Sequence, residues 1–125
     1  MEQAKLDKIL DEHKEWLRTN GEKGKRANLR SADLSYADLR SADLRYADLS
    51  SANLDYSAFP LWCGGLDVHI DDKQATQLLY HLLRNVKYSK NTSKSMKKIC
   101  KIKSLVKQAN QFHRVKECGE IDLET

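Results

Sequence analysis

The sequence has 125 residues, a formal net charge of +4, 40 % hydrophobic and 32 % charged side chains. A chain of this length builds one compact unit or two small ones, and none of its apolar runs approaches the roughly 18 residues of a membrane span. Its first ten residues, MEQAKLDKIL, lack the apolar stretch of a signal peptide. Three widely spaced cysteines argue against a secreted disulfide framework. We therefore expect a cytoplasmic protein with reduced thiols.

Residues 1–26 are predicted to form a helix followed by a polar loop. Apolar residues recur there at helical spacing and charged residues occupy the opposite face, as in an amphipathic helix that packs on one side. Gly21 suits the left-handed position that ends a helix. The apolar stripe consists of Leu6, Ile9, Leu10, His13, Trp16 and Leu17.

Residues 27–59 repeat with a period of five: Ala, then Asp or Asn, then Leu, then two variable positions. Six units are regular, from ANL at 27–29 to ANL at 52–54, and SAF at 57–59 keeps only the small and large apolar residues. A helix would scatter a five-residue stripe, because five residues turn through roughly 500°. A straight strand would alternate the faces of successive Leu. The period therefore predicts a solenoid that bends once per unit and directs every Leu and Ala inward.

The tandem A(D/N)LXX units resemble the pentapeptide-repeat proteins. That resemblance implies a short right-handed quadrilateral β-helix with four five-residue sides per coil, in which residue i lies about 4.8 Å above residue i+20. It places Tyr36 over Tyr56 and Asp33 over Asn53. Fewer than two full coils leave two open ends. The fold class that follows is a β-solenoid plus α, capped by an N-terminal helix and by a C-terminal helical subdomain after Phe59.

The rest of the chain is predicted to be helical. Asp71 and Asp72 suit the start of one helix, and a second is expected from about Lys94. The acidic end, 119–125, is predicted to fray. The expected division is a capping helix and loop, 1–26, a repeat β-helix, 27–59, and a C-terminal helical subdomain, 60–125. The apolar face of the first of these helices consists of Ala75, Leu78, Leu79, Leu82, Leu83 and Val86.

The aspartates of the repeat have two interpretations. Some pentapeptide-repeat proteins are long acidic rods that imitate duplex DNA, so an acidic comb would make this chain a short mimic. However, four successive units face four different sides of the coil, and Arg30, Arg40 and Arg45 nearly balance the charge. We favour a structural role, in which the Asp or Asn side chain accepts hydrogen bonds from backbone amides at the bends.

Tyrosines occupy the last position of three units, at Tyr36, Tyr46 and Tyr56, and Arg45 precedes one of them. Tyr36 and Tyr56 are expected to stack on one side of the coil, with Arg45 and Tyr46 on another. Exposed Tyr and Arg are favoured in protein interfaces, so these four residues are candidate partner-binding residues. The alternative is that an aromatic ladder only supports the coil, or that the C-terminal helices cover it.

The segment 84–107 contains nine basic residues and no acidic one. Such a block can contact nucleic-acid phosphates, contact an acidic protein, or remain a solvated helix face. Its only aromatic residue is Tyr88, so base stacking is not indicated. The candidate partner-binding residues here are Lys94, Lys97, Lys98 and Lys101.

The cysteines and histidines show no established metal-site spacing. Cys63-x5-His69 and His113-x4-Cys118 are weak signals, and a buried thiol is the more common outcome. We predict no metal, no cofactor and no catalytic residue. The sequence leaves open whether Cys63, His81, Cys100, His113 and Cys118 are only core residues.

The function predicted is that of a non-enzymatic protein-binding module. The lead-in 9–29 and the stretches 59–72 and 109–119 resemble segments of phage and prophage members of the family. Such small proteins often inhibit a host enzyme by direct binding. The resemblance therefore implies an anti-CRISPR-like inhibitor of a host complex, such as a CRISPR effector or another nucleic-acid-handling enzyme. The alternatives are a nucleic-acid-binding accessory protein that uses the basic segment 84–107, and a self-associating structural module.

Overall fold

The structure, a computed structural model, describes residues 1–123. The chain forms two compact units, unit 1 from Met1 to Asp71 and unit 2 from Asp72 onward. The three-part division at residues 26 and 59, and the capping of the repeat by the C-terminal subdomain, stay predictions. Over the described range, no helix has both the length and the apolar character needed to cross a bilayer.

The regular structure is helical. Unit 1 contains helix α1, Gln3–Arg18, and a short 3-10 helix, Cys63–Gly65. Unit 2 contains α2, Asp72–Tyr88; α3, Lys94–Lys97; a 3-10 helix, Lys98–Lys101; α4, Lys103–Ala109; and α5, Val115–Cys118.

The predicted quadrilateral β-helix is wrong, and so is the β-solenoid class assigned to the chain. Residues 1–123 contain no β-strand and no sheet. The β-pairing there consists of four isolated parallel bridges, one of which joins Asp38 to Ala58. Each five-residue unit uses part of its length for a turn, such as the one closed by the Ala32 N–H donating to the Leu29 carbonyl (3.1 Å). Too few extended residues remain between turns for a strand, which usually needs at least three.

Residues 27–59, called the repeat coil below, instead form a succession of hydrogen-bonded turns. Backbone groups separated by about 20 residues are paired: the Leu29 N–H donates to the Asp48 carbonyl (2.8 Å), and the Asp48 N–H donates to the Ala27 carbonyl (3.1 Å). The predicted placement of Asp33 over Asn53 is confirmed, because a parallel bridge joins them. The five-residue period therefore sets the register even though it does not produce strands.

The interior of unit 1 is built from the repeated Leu and Ala positions. Leu34, Leu39 and Leu44 are completely buried, which is what the sequence period predicts. Burying a Leu side chain stabilises the fold by about 1.5–3 kcal/mol relative to leaving it in water. The buried cluster contains Leu6, Ala27, Leu29, Leu34, Ala37, Leu39, Leu44, Ala47, Leu49, Ala52 and Leu54.

Helix α1 covers one end of the repeat coil, and its predicted end is confirmed, since Gly21 has a φ of 87°. Its side chains pair with the exposed backbone of the coil. The Gln3 amide accepts from the Asp38 N–H (2.9 Å) and donates to the Asp38 carbonyl (3.1 Å). Gly24 lets the following loop approach the helix, because a Cβ there would collide with backbone atoms of Glu12 and Trp16. At an uncovered end, water would have to pair with these backbone groups instead.

The segment after Phe59 pairs with the repeat coil inside unit 1. The Leu44 N–H donates to the Gly64 carbonyl (2.7 Å), and the Leu49 N–H donates to the His69 carbonyl (2.9 Å). Val68 packs against the buried cluster. This part of the chain adds a partial further layer to the coil.

Unit 2 has its own core, but its helices differ from the prediction. The single helix expected from Lys94 is wrong: the chain breaks at Ile102, whose ψ of 103° is extended. On α2, Leu83 is buried as predicted, whereas Leu78 and Leu82 are exposed. The core consists of Tyr80, Leu83, Val86, Cys100, Val106, Ala109, Phe112 and Ile121.

The C-terminal end is held in unit 2 by side-chain hydrogen bonds. The Asn110 amide donates to the Ile121 carbonyl (3.1 Å) and accepts from the Ile121 N–H (2.8 Å). The Tyr80 hydroxyl donates to the Gly119 carbonyl (2.6 Å). The predicted fraying is therefore wrong for residues 119–122, while residues 124–125 lie outside the described range.

Candidate interaction surfaces

Tyr36 and Tyr56 form a stacked pair on the outside of the repeat coil, called the tyrosine pair below. Their ring centroids lie 4.9 Å apart with planes inclined by 4°. The two residues are 75 % and 62 % exposed. The Tyr36 N–H also donates to the Asp55 carbonyl (3.2 Å), which ties the two coils together beside the rings. The predicted stacking is confirmed, and the partner-binding role stays a prediction.

Each tyrosine of the pair occupies the left-handed position of a turn. Tyr36 has a φ of 63° and Tyr56 a φ of 62°. Residues other than glycine are disfavoured in this region by about 1–2 kcal/mol, so the geometry is imposed by the repeat. Ser31 and Ser51 take the equivalent position with φ values of 60° and 64°. The turn therefore accepts serine there, and it does not require an aromatic ring.

Tyr46 follows Tyr36 by ten residues, which is two of the four turns that make up one coil. Arg45 and Tyr46 therefore lie on a different side of the coil from the tyrosine pair. The Arg45 guanidinium makes two hydrogen bonds to the Asp43 carboxylate (2.9 and 2.7 Å). The Tyr46 N–H donates to the Asp67 carbonyl (2.8 Å), and the residue is 49 % exposed. The four candidate residues thus lie on two sides of the repeat coil, as expected from the sequence.

The repeated Asp and Asn side chains stabilise the turns, as the structural interpretation predicts. In each of six units the side-chain oxygen accepts from the backbone N–H two residues later, for example Asp33 from Ser35 (3.0 Å) and Asn53 from Asp55 (2.9 Å). This is an Asx-turn, which fixes the backbone at a bend. The six acceptors are Asn28, Asp33, Asp38, Asp43, Asp48 and Asn53.

The carboxylates of the repeat are further neutralised by arginines. Hydrogen bonding from Arg40 lowers the pKa of Asp38 to about 2. The guanidinium of Arg45 likewise lowers the pKa of Asp43, although partial burial opposes the shift. Arg30 lies 3.4 Å from a carboxylate oxygen of Asp48. These paired charges do not form the continuous acidic stripe that a DNA mimic needs.

His13 is buried between α1 and the repeat coil. Its Nδ1 accepts from the Ala27 N–H (2.9 Å), so its Nε2 carries the proton and donates to the Arg45 carbonyl (2.8 Å). Burial lowers the pKa of His13 below 6.5, while the Arg45 carbonyl and the Asp43 carboxylate oppose this shift. The histidine is therefore held neutral as a connector of backbone groups.

The half-buried Lys97 is hydrogen-bonded within unit 2. Its ammonium donates to the carbonyls of Val86 (2.9 Å) and Ser89 (2.6 Å) and to the Thr92 hydroxyl (2.7 Å). These acceptors lie at and just beyond the C-terminal end of α2, where unpaired carbonyls attract a cation. A role for Lys97 in partner binding stays a prediction, but its ammonium already has four acceptors within unit 2, the fourth being the Lys87 carbonyl (3.2 Å).

The other predicted lysines line a cleft in unit 2, called the lysine cleft below. Lys94, Lys98 and Lys101 are exposed, and the cleft has a volume of about 460 Å³. The Lys87 ammonium at its margin donates to the Asp122 carbonyl. The lining is completed by Lys97 and Cys100.

The cysteines are free thiols, with Cys63 and Cys118 exposed and Cys100 buried. The Cys100 Sγ donates to the Leu83 carbonyl (3.5 Å), and the His81 Nδ1 contacts the Gln77 carbonyl (2.8 Å). In residues 1–123, no three His, Cys, Asp or Glu side chains are grouped so that they could hold a metal ion.

Comparison with known proteins gives a family match for the repeat only. Neither the curated proteins nor the solved structures gave a match. Pentapeptide-repeat proteins are generally non-enzymatic structural or interaction modules, and no catalytic family is indicated. The family model described as pentapeptide repeats matches residues 25–55 in eight copies, so the repeat coil is similar to that family of interaction modules.

Proposed function

We propose that this protein is a non-enzymatic binding module that presents the tyrosine pair to a partner protein. The observation that supports the proposal best is the stacking of two largely exposed rings, Tyr36 and Tyr56. Tyrosine offers a large, amphipathic contact area with few rotatable bonds. Here the turns and the stacking already hold both rings, so binding would restrict little further side-chain motion.

The competing explanation is that the pair only supports the coil. A stacked aromatic pair is worth about 0.5–1.5 kcal/mol beyond its burial. However, Ser31 and Ser51 occupy the equivalent left-handed positions without aromatic rings. Support of the coil therefore does not explain why tyrosine stands at 36 and 56.

The finer part of the proposal is the class of partner. The segments 9–29, 59–72 and 109–119 resemble parts of phage and prophage proteins, and small proteins of that kind often act by binding a host enzyme. We therefore take a host nucleic-acid-handling complex, including a CRISPR effector, as the target class, with inhibition as the consequence of binding. This step is based on resemblance to a family and not on the geometry of a binding site.

The test replaces both tyrosines by serine, the residue that the turn already accepts at 31 and 51. Tagged wild type and Tyr36→Ser/Tyr56→Ser are used to capture proteins from nuclease-treated host lysate, and the captured complex is then assayed for its own activity. Central interface tyrosines cost 2 kcal/mol or more when truncated, so we expect the double variant to bind at least tenfold more weakly. The wild type should inhibit the captured complex.

The matched control is Leu61→Ser, which removes a residue that is 96 % exposed. It should capture the same complex as wild type. Equal capture by the tyrosine variant would refute the role of the pair, and capture without inhibition would refute the inhibitor class. A mass doubled by light scattering and lost only in the tyrosine variant would instead show that the partner is a second copy of this chain.

A further inference from the structure

The basic residues of 84–107 fall into two groups in unit 2. One group is bonded within the unit: Arg84 donates to the Gly119 carbonyl (3.0 Å), Lys87 to the Asp122 carbonyl, and Lys97 to the end of α2. The other group is exposed, and three of its members line the lysine cleft. These three are Lys94, Lys98 and Lys101.

The three exposed lysines share one side of the chain. They are separated by four and three residues in the consecutive helical segments Lys94–Lys97 and Lys98–Lys101, and this spacing places side chains on one face. None of the six residues that line the cleft is acidic. Like charges held together in this way repel one another, so an anion in the cleft would relieve their repulsion.

We propose that the lysine cleft binds the phosphate backbone of a nucleic acid without reading its sequence. Lysine is a compact point charge suited to phosphate, and phosphate contacts fix a protein on the strand without base information. The lining of the cleft contains no aromatic side chain, Arg, Asn or Gln, so it lacks the groups that stack on bases or recognise their edges.

A phosphate backbone fits the cleft better than an acidic protein does. The centres of protein interfaces are depleted in lysine, whereas each phosphate contact by a lysine releases counterions from the nucleic acid. This site lies in unit 2 and does not depend on the tyrosine pair of unit 1. The two proposals can therefore fail separately.

The salt dependence of binding can be calculated from the number of unbonded lysines. Each phosphate contact on duplex DNA contributes about 0.9 to the slope of log K against log salt, so three lysines give a slope of about −2.7. Raising the salt fourfold, from 25 to 100 mM, should then weaken binding roughly fortyfold.

The experiment measures binding of the full chain to a fluorescent 20-base-pair duplex of scrambled sequence by anisotropy, over that salt range. The test variant is Lys94→Gln/Lys98→Gln/Lys101→Gln. The control variant is Lys5→Gln/Lys8→Gln/Lys14→Gln, which removes the same charge from exposed positions of α1. Circular dichroism establishes that both variants are folded.

The proposal expects the wild type and the control to show the slope of about −2.7, with equal affinity for a second scrambled duplex. The test variant should have a slope close to zero. Loss of binding in both triple variants alike would mean that net charge and not the cleft is responsible, and would overturn the proposal. Competition by poly-glutamate or tripolyphosphate as strong as that by unlabelled duplex at equal charge would also overturn it, in favour of an acidic protein or a small polyanion.

Discussion

The two units of this protein are held together in different ways. In unit 1 the same contacts recur every five residues: a buried Leu, a turn, and an Asp or Asn that accepts from the backbone two residues later. In unit 2 the contacts that hold the segments together are each made only once. The Lys97 ammonium binds the end of α2, and the Asn110 amide pairs with the backbone of Ile121.

The difference determines how each unit should respond to mutation. A repeated contact is shared among several turns, so the loss of one turn contact should cost little, whereas loss of a Leu leaves a cavity in a continuous core. A contact made once cannot be replaced by a neighbour. Trp16 and Trp62, the two tryptophans of the chain, both lie in unit 1, so their fluorescence follows the unfolding of that unit.

The largest effect is expected for Leu39→Ala in the repeat coil. Leu39 is completely buried, and truncation of a buried Leu costs about 2–5 kcal/mol because it leaves a cavity. Urea unfolding followed by tryptophan fluorescence should show this loss. The control is Leu61→Ala, whose side chain is exposed and which should change the free energy of unfolding by less than about 0.5 kcal/mol. Equal effects would mean that the Leu positions of the repeat are not the core.

The next largest effect is expected for Lys97→Met in unit 2. Methionine keeps the length of the side chain but removes the ammonium, so the carbonyls of Val86 and Ser89 lose a charged donor. Hydrogen bonds to charged groups contribute about 1.5–3 kcal/mol, and we expect a loss of about 2 kcal/mol in unfolding followed by circular dichroism at 222 nm.

The neighbouring Lys98→Met is the matched control for this prediction. Lys98 is exposed, so its replacement should alter stability by less than about 0.5 kcal/mol. The tryptophan transition of unit 1 should be unchanged in both variants. If Lys97→Met were as stable as wild type, Lys97 would be an ordinary surface lysine of the basic segment 84–107.

Much of unit 1 could be predicted from the sequence because its period repeats the same information six times. The inward Leu, the Asx-turns and the end of α1 at Gly21 follow from local rules of spacing and turn chemistry. The stacking of Tyr36 on Tyr56 was implied by the resemblance to pentapeptide-repeat proteins, which places residue i over residue i+20. The β-helix, which the resemblance to pentapeptide-repeat proteins implied, was wrong, whereas the bend once per five residues was right. The pattern specifies where the chain bends, but it does not specify whether the short segments between bends are long enough to be strands.

Unit 2 could be predicted less well because its contacts join residues far apart in sequence. Apolar periodicity located α2, but it could not show that the chain breaks at Ile102 or that Leu78 and Leu82 face outward. Nor does any local signal identify Lys97 as the partner of carbonyls eight to eleven residues earlier. The candidate site shares this limit: the lysines were identified as a block, and only the structure separates the bonded ones from those lining the cleft.

A smaller, pH-dependent effect is expected at His13. Since burial keeps the pKa of His13 below 6.5 in the fold, the unfolded chain takes up a proton near pH 6.5 that the folded chain does not. The free energy of unfolding of unit 1 should therefore fall as the pH decreases below 6.5, and level off once the folded histidine is also protonated. Protonation of Nδ1 would replace the acceptor of the Ala27 N–H by a second donor.

Tryptophan-monitored urea unfolding at several pH values between 7.5 and 4.5 tests this expectation. His13→Gln should be less stable at pH 7.5 and should lose the part of the pH dependence that His13 causes. His81→Gln, at an exposed histidine of unit 2, should retain the wild-type profile. An identical pH profile in wild type and His13→Gln would show that the histidine is not held neutral.

The smallest effect, expected at Asn53, tests whether the repeated Asp and Asn act through hydrogen bonds or through charge. Asn53→Ala removes the acceptor of the Asp55 N–H and should cost about 0.5–1 kcal/mol, the lower end of the values for helix caps, at any salt concentration. Asn53→Asp keeps the acceptor but places a second carboxylate against Asp33, its bridge partner. Its cost should be smaller and should decrease as salt screens the repulsion. If Asn53→Ala were as stable as wild type, the turns would not need this side chain, and the acidic repeat would have to be explained by its charge.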